Sequence, residues 1–265
     1  QGYSSAASDV YKRQLFYRKG NQLILTGEGE TLYEKANYIL QYCTELQSDC
    51  FGLSRNKPPI RIGIPPMLST VFFPELLTAF QKEYPDVPVM LEEYASVRAC
   101  NLVQNDSLDL ALVNMEQYNI DKFHHALLAN DQVVFCVSKE HPLVRKEEAT
   151  IQDMAQIPLI FFNGDSVQNQ LLKIRFELEG FTPHVLMHNS QIYTTLQFLK
   201  NNNCGCFLYS SMTDKFPDIV QLPLKPPLFI KIGMIWKKGK YISNDMQTFL
   251  NFTRKYYKDH PLIKE

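Results

Sequence analysis

The stretch that decides the fold is IRIGIPPMLSTVFFPELLTAFQKEYPDVPVMLEEYASVRACNLVQNDSLDLALV, residues 60–113. Short apolar runs with the length of buried strands alternate in it with longer segments whose apolar side chains recur at helical spacing. The strands are predicted at residues 60–64, 87–93 and 108–113, and the helices at residues 68–84 and 96–105. This order predicts βαβ units on a parallel sheet, and therefore an α/β fold.

The same alternation starts again further along the chain. Strands are predicted at residues 132–138, 158–162, 184–187, 204–209 and 228–236, and helices at residues 166–179, 190–200 and 243–257. Two α/β lobes fit the remaining length, since domains of about 100 residues are common.

Ahead of the lobes, residues 26–51 have the pattern of one long helix. Apolar residues there step by four and three, as in a heptad repeat. The repeat consists of Leu32, Ala36, Ile39, Cys43, Leu46 and Cys50. We expect this face to pair with a helix of a second copy, with packing onto the chain's own core as the alternative. SRNKPP, residues 54–59, ends the helix because prolines cannot continue it, and it is the best linker in the sequence.

Composition excludes several classes of protein. The 265 residues carry a formal net charge of −1, which is no basic excess for nucleic acid. No run approaches 18 apolar residues, and the first 15 residues lack the features of a secretory signal. The six cysteines are scattered, which is typical of free buried thiols in a reducing cytoplasm. We therefore expect a cytoplasmic protein without a membrane partner.

The sequence contains no pattern that predicts an enzyme, a metal site or a cofactor. TGEGET, residues 26–31, has only two of the glycines of a dinucleotide site and no preceding strand. The pairs His184/His188 and His124/His125 are better explained as core or surface histidines, and Cys204/Cys206 as buried small side chains. We expect no catalytic residues, no metal and no cofactor.

A small-molecule site is better supported. In two-lobed α/β folds, ligands bind at the carboxyl ends of strands, where helix N-termini present free N–H groups. Ser and Thr at these junctions are predicted either to bind a ligand or to cap a helix. Arg98 is a candidate for binding an anion, although it could instead pair with Glu92 and Glu93. The candidate binding residues are Met67, Ser69, Thr70, Ser96, Arg98, Asn114, Phe162, Asn163, Gln191 and Ile192.

From residue 15 onward, the chain resembles the LysR-type transcriptional regulators. The resemblance rests on seven short motifs in the family's order. They are LF-x-R (residues 15–18), LT-x-x-G (25–29), RIG followed by FPELLTAFQKEYPDVPVMLEE (61–93), LDLAL (108–112), HPL (141–143), EGFTP (179–183) and LPLKPP…IWKKGKYIS (222–243). The chain departs from the family at NNNCGCFLYSSM, residues 201–212, where members usually carry a Gly-rich aliphatic segment.

The resemblance implies a two-lobed effector-binding domain, similar to periplasmic binding proteins, behind a dimerisation helix and a remnant of a winged helix-turn-helix. Ser69, Thr70, Ser96 and the Phe162 region fall where family members contact their effectors. The wing remnant would carry Arg18 and Lys19 as DNA contacts, and the partners would be a small effector and further copies in a homodimer or homotetramer. The implied parts are a non-native or disordered tail (1–14), the wing remnant (15–25), the dimerisation helix (26–57), lobe I (58–131 with 235–265) and lobe II (132–234).

The recognition helix of a winged helix-turn-helix is expected just before Leu15, yet residues 1–14 lack the pattern of such a helix. Residues 1–59 have a net charge of only +1, so we expect little or no DNA affinity for this chain, although the intact regulator would bind DNA. The alternatives are a transport-type solute-binding protein and, third, an enzyme on the same fold.

Overall fold

The computed structural model describes residues 9–10, 13–20, 22–50, 57–116, 120–163, 166–201 and 203–261. The chain divides into two compact units. The N-terminal unit is Gln1–Lys57 with Lys238–Asn244, and the α/β unit is Pro58–Lys237 with Asp245–Glu265. Most of the predicted tail lies outside the described residues. The described part of that tail forms a short antiparallel pair, β1 (Asp9–Val10) with β2 (Arg13–Gln14).

The N-terminal unit consists of a hairpin followed by one helix. The hairpin pairs β3 (Phe16–Lys19) with β4 (Gln22–Leu25) in antiparallel register, and Gly20 after β3 has a φ of +63°. Helix α1 (Gly27–Cys50) follows within the predicted span 26–51, of which residue 51 is not described. Arg18 and Lys19 are exposed on β3.

The LT-x-x-G motif starts α1. The hydroxyl of Thr26 accepts a hydrogen bond from the N–H of Gly29 at 3.0 Å, and it donates to the carbonyl of Gln14 at 2.7 Å. Gly29 is required because a Cβ at this position would lie 2.0 Å from the carbonyl oxygen of Leu15. Thr26 therefore caps the helix, while Gly29 lets the preceding chain approach it closely.

The predicted heptad face of α1 is exposed in the single chain. Leu32, Ile39 and Leu46 are 41%, 60% and 54% exposed, and Ala36 is exposed as well. Cys43 is also exposed, so the expectation that the cysteines are buried is wrong here; the side chain of Cys50 lies outside the described residues. Burial of this cysteine would need the second helix that the repeat predicts.

A different face of α1 carries two tyrosines. The rings of Tyr38 and Tyr42 each meet the ring of Tyr241 edge-on, with centroids 5.3 Å apart. The segment Lys238–Asn244 thus packs with α1 inside the N-terminal unit.

The α/β unit contains the remaining elements. Its strands are β5 (Ile60–Ile64), β6 (Val89–Glu93), β7 (Leu110–Asn114), β8 (Phe123–Ser138), β9 (Ala149–Thr150), β10 (Leu159–Phe161), β11 (Val185–His188), β12 (Gly205–Tyr209) and β13 (Ile219–Lys237). Its helices are α2 (Pro66–Val71), α3 (Phe73–Glu83), α4 (Ser96–Gln104), α5 (Ile151–Ala155), α6 (Val167–Leu178), α7 (Ile192–Asn201), α8 (Ser210–Thr213) and α9 (Asn244–Asp259).

One mixed sheet runs through both lobes in the order β11-β10-β12-β8-β13-β7-β5-β6. The three strands at each end are parallel, as predicted. The two central strands, β8 and β13, are antiparallel to each other and to β12 and β7, their outer neighbours, so the sheet is mixed and the predicted parallel pairing holds only in its outer parts. These two strands are longer than predicted, and the expected lobe boundaries at residues 131/132 and 234/235 fall inside them.

The predicted helix over residues 68–84 is two helices. Helix α2 begins at Pro66, and the chain breaks at Phe72 before α3. Pro74, the second residue of α3, has no N–H to donate to the preceding turn and its ring crowds that turn, so one continuous helix cannot form.

Each lobe has an aromatic core. In lobe I, the ring of Phe80 meets Phe249 at 4.9 Å, and Tyr257 donates a hydrogen bond to the carbonyl of Phe72 at 2.5 Å. In lobe II, the ring of Phe207 lies 5.4 Å from Phe135 and 5.3 Å from Phe161.

The atypical CGC segment of lobe II fits this core. A Cβ at Gly205 would lie 2.1 Å from the ring of Phe135, so only glycine leaves room for that ring. Cys206 stands directly opposite Cys136 on the neighbouring strand, and both are buried, as is Cys204. Burial, together with the adjacent Cys136 thiol, raises the pKa of Cys206 well above its usual range, so these thiols act as apolar packing groups.

Candidate functional site

A cavity of about 190 Å³ opens where parallel strands of both lobes end. Strands β5, β6 and β7 deliver the lobe I wall, which consists of Pro65, Pro66, Met67, Glu93, Tyr94, Ala95, Ser96, Arg98 and Asn114. Residues that follow or end β10, β11 and β12 deliver the lobe II wall, which consists of Phe162, Asn163, Ser166, Val167, Gln168, Ser190 and Tyr209. This is the position at which α/β sheets bind ligands.

The structure brings six of the ten predicted binding residues to this cavity. They are Met67, Ser96, Arg98, Asn114, Phe162 and Asn163. The other four do not line it. They are Ser69, Thr70, Gln191 and Ile192.

Ser69 and Thr70 lie inside α2 instead of at its start. Their hydroxyls donate to the carbonyl of Pro66 at 2.8 and 3.1 Å, and Ser69 also meets Oε1 of Glu93 at 2.6 Å. The prediction that they cap the helix is wrong, because Pro66 starts α2 two residues earlier than predicted.

A tight turn at Asn189 keeps Gln191 and Ile192 away from the cavity. Oδ1 of Asn189 accepts the N–H of Gln191 at 3.1 Å, and Oε1 of Gln191 accepts the hydroxyl of Thr194 at 3.0 Å. These bonds occupy Gln191, and α7 begins only at Ile192. Ser190 reaches the cavity in their place and accepts a hydrogen bond from Asn163 at 2.8 Å.

On the lobe I wall, the N-terminus of α4 faces the cavity without a side-chain cap. Ala95 is the N-cap residue, so the alternative that Ser96 caps this helix is wrong. The buried hydroxyl of Ser96 instead accepts the N–H of Asn114 at 3.2 Å. Arg98 lies over the ring of Tyr94, 4.9 Å from its centroid, and forms no ion pair with Glu92 or Glu93. Its charge is therefore available at the cavity.

On the lobe II wall, the side chain of Ser166, the N-cap residue of α6, makes no capping hydrogen bond among the residues that the structure describes. Asn169 holds the preceding loop in place: Oδ1 accepts the N–H of Phe162 at 3.2 Å, and Nδ2 donates to the carbonyl of Asn163 at 3.0 Å. Gln168, the second residue of α6, donates from Nε2 to the carbonyl of Phe207 at 3.1 Å. The N-termini of two helices thus face one cavity, and the first N–H groups of a helix have no partner within that helix.

Two buried amides at the wall have unused hydrogen-bonding atoms. Asn114 and Gln168 are 2% and 1% exposed. Within the described part of the chain, Nδ2 of Asn114 and Oε1 of Gln168 have no partner of good geometry. Leaving such groups unpaired costs about 1–3 kcal/mol each, so a ligand or an ordered water that pairs with them is stabilised at this wall.

Behind the wall lies a buried carboxylate. Asp131, on β8, accepts the hydroxyl of Ser211 at 2.5 Å and the N–H of Gln132 at 2.7 Å. Burial raises the pKa of Asp131, and these hydrogen bonds oppose the rise. Burial also raises the pKa of Tyr209, the charge of Asp131 raises it further, and the nearby Asn114 amide opposes the rise.

Sequence reasoning missed Gln168, Ser190 and Tyr209, each of which lines the cavity. Tyr209 ends a predicted strand and could have been found by extending the carboxyl-end rule to that strand. Gln168 carries no sequence signal, because its role depends on which way the first turn of α6 faces.

The chemistry of the cavity is that of recognition. Hydroxyls, amides and helix N-termini bind polar ligands, and among the described residues no group of three His, Cys, Asp or Glu side chains is placed to hold a metal. Within the same residues, none of the helices is long and apolar enough to cross a membrane.

Two lobes that enclose a cavity at their strand ends define a small-molecule-binding domain. Residues 54–258 match the family model described as "LysR substrate binding domain", which covers more than half of the chain. The chain therefore belongs to the LysR family, and it is a LysR-type transcriptional regulator with an effector-binding domain. The resemblance found from the sequence motifs is confirmed, and members of this family are regulators of transcription, not enzymes.

Relatives and solved structures agree with this assignment. The "Uncharacterized HTH-type transcriptional regulator YwbI" of Bacillus subtilis (strain 168) is 29% identical over 207 residues, which cover 77% of this chain and 68% of YwbI. The effector-binding domain of QuiR in complex with shikimate has a TM-score of 0.67 at 20% identity, covering 77% of this chain and 99% of that one. The CcmR regulatory domain of Synechocystis PCC6803 in complex with 2-PG has a TM-score of 0.69 at 18% identity, covering 76% and 98%.

Proposed function

We propose that this chain senses a small carboxylate in the cavity between lobe I (residues 58–131 with 235–265) and lobe II (residues 132–234), and thereby regulates transcription. The observation that carries this proposal is the meeting of two helix N-termini, those of α4 and α6, at one cavity, where neither N-cap residue makes a side-chain capping bond among the described residues. The N-terminus of a helix carries a partial positive charge and free N–H donors, which bind carboxylates well. Arg98 adds a full positive charge at the same place.

The binding residues that we propose are the six predicted ones at the cavity together with Gln168, Ser190 and Tyr209. A ligand that touches both walls binds one arrangement of the lobes more tightly than another. This difference in affinity is what allows the ligand to change the conformation of the protein. The structural relatives in complex with shikimate and with 2-PG are consistent with a small molecule in this cavity.

Self-association and DNA binding complete the proposal. The exposed apolar face of α1 is suited to pairing with a second copy, in a homodimer or as part of a homotetramer. Arg18 and Lys19 are the proposed DNA contacts of the hairpin, and the net charge of +1 over residues 1–59 supports weak DNA binding by this chain alone. A regulator of transcription acts where the DNA is, so we propose a cytoplasmic location. The family assignment favours this function over a transport-type solute-binding protein or an enzyme.

The test is a thermal-shift screen of small organic acids and amino acids, followed by calorimetric titration of each compound that raises the melting temperature. We expect at least one carboxylate to bind the wild-type chain. Ala95→Trp is expected to abolish this binding, because the indole fills the cavity at a position where no side-chain cap is lost. Arg145→Gln, which removes an exposed arginine outside the cavity, should bind as the wild type does. Binding that survives Ala95→Trp unchanged would place the ligand elsewhere.

A further inference from the structure

The free acceptor on Gln168 restricts the kind of ligand that the cavity takes. Because Nε2 donates to the carbonyl of Phe207, the orientation of the amide is fixed, and Oε1 is the atom left without a partner. This atom can only accept a hydrogen bond. A ligand that satisfies it must bring a donor into a site where Gln168 is 1% exposed. A simple carboxylate has no donor to offer.

The charges around the cavity indicate what kind of donor this is. Asp131 is fully buried, and among the described residues it forms no ion pair; its partners are the hydroxyl of Ser211 and backbone N–H groups. Ser211, which donates to Asp131, follows Tyr209 of the cavity wall by two residues; burial raises the pKa of Tyr209, and the charge of Asp131 raises it further. Glu93 adds a second carboxylate to the wall. A cationic donor gains from both charges, whereas a neutral hydroxyl does not.

The same part of the cavity also favours an anion. The first N–H groups of α6 and α4 and the charge of Arg98 favour a negative acceptor. Gln168 is itself the second residue of α6, so the group that needs a donor and the N–H groups that need an anion lie beside each other. The ligand must therefore carry its cation and its anion on neighbouring atoms.

We propose that the cavity is specific for an α-amino acid, whose carboxylate lies at the N-termini of α4 and α6 and whose ammonium donates to Oε1 of Gln168 within the field of Asp131. This inference rests on the proposed function and narrows its ligand class. Arg98 adds its positive charge for the carboxylate, and Glu93 adds a negative charge for the ammonium.

Matched compounds test the ammonium directly. Each series contains an L-amino acid, its α-hydroxy analogue and its des-amino analogue: alanine, lactate and propionate; glutamate, 2-hydroxyglutarate and glutarate; phenylalanine, phenyllactate and phenylpropionate. Calorimetric titration of the full chain should give the tightest binding for the amino acid of at least one series. The two analogues should bind at least about tenfold more weakly, as expected for loss of one charge-assisted hydrogen bond.

Variants test the named groups. Gln168→Met removes the acceptor at similar volume, and we expect it to weaken the amino acid by about tenfold while leaving the des-amino analogue within about twofold. Asp131→Asn keeps the size of the side chain and removes only its charge, so it should weaken the amino acid and leave the des-amino analogue unchanged or tighter. Glu147→Gln, an exposed acid outside the cavity, is the matched control.

The outcomes separate this inference from the proposed function. If lactate-type or propionate-type acids bind as tightly as the amino acids and Ala95→Trp abolishes that binding, the carboxylate sensor stands and the amino-acid specificity is wrong. If Asp131→Asn weakens all three members of a series equally, its effect is structural, and the role of its charge is contradicted. If no member of any series binds, both proposals fall.

Discussion

At the scale of the residue, single atoms decide where the chain approaches itself closely. Gly29 and Gly205 each occupy a position where a Cβ would lie about 2 Å from its neighbour, the carbonyl of Leu15 in one case and the ring of Phe135 in the other. Neither glycine has a positive φ, so both are required by space and not by backbone conformation. The two positions fix the start of α1 and the aromatic core of lobe II.

A pair of glycine substitutions separates close approach from helix propensity. Gly29→Ala should destabilise the N-terminal unit by about 1–3 kcal/mol, because the backbone of Leu15 must move away from the new methyl group. Gly27→Ala, two residues earlier in the same turn, meets nothing within 4 Å and should be neutral or slightly stabilising. Limited proteolysis at the β3–β4 hairpin measures the difference. Equal cleavage rates for the two variants would contradict the role of Gly29.

Individual binding residues were predicted from the sequence less reliably than the elements that carry them. The six predicted cavity residues lie at strand ends or in the first turn of the helix that follows, positions that the alternation of elements does specify. Ser69 and Gln191 were predicted on the same grounds, but the hydroxyl of Ser69 bonds to Pro66 and Glu93, and the amide of Gln191 bonds to Thr194. Local hydrogen bonds of this kind depend on where a helix starts to within one or two residues, which periodicity does not determine.

At the scale of the element, α1 exposes an apolar face that has no packing partner among the described residues of one chain. Its heptad residues Leu32, Ile39 and Leu46 are all more than two-fifths exposed, and Tyr33 and Leu40 are exposed next to them. Burying one such side chain contributes about 1.5–3 kcal/mol, so a paired helix recovers a large free energy that the single chain leaves unused.

A charge placed in this face tests the pairing. Ile39→Glu should weaken self-association by about tenfold or more, because each copy would bury a carboxylate in the seam. Glu34→Lys changes charge on another face of the same helix and should leave the assembly unchanged. Sedimentation equilibrium of the full chain over a range of concentrations gives both association constants. Loss of association in the control, or none in Ile39→Glu, would contradict the seam.

Element types were predicted more reliably than their directions and breaks. The strands and helices exist where apolar periodicity placed them, because burial of one face decides both. The antiparallel direction of β8 and β13 has no signature in periodicity, since an apolar run looks the same in either direction. Pro74, which causes the break between α2 and α3, is visible in the sequence. The prediction of one continuous helix followed the apolar spacing on both sides of this proline instead.

At the scale of the whole molecule, the sheet explains how two lobes come to share one site. Strands β8 and β13 run side by side from one lobe to the other, so each lobe is completed by strands that continue into its neighbour. A cavity built at the strand ends of both lobes is sensitive to their arrangement, which is the property that a sensor requires.

The central claim is that an anion binds at the N-termini of α4 and α6. Hydrogen–deuterium exchange of the full chain, with and without the carboxylate found by titration, measures this most directly, because first-turn N–H groups have no partner within their own helix. We expect slower exchange in peptides covering residues 94–99 and 162–169, and no comparable change in α3 or α9. Unchanged exchange at both helix starts, with protection appearing elsewhere in the chain, would contradict it.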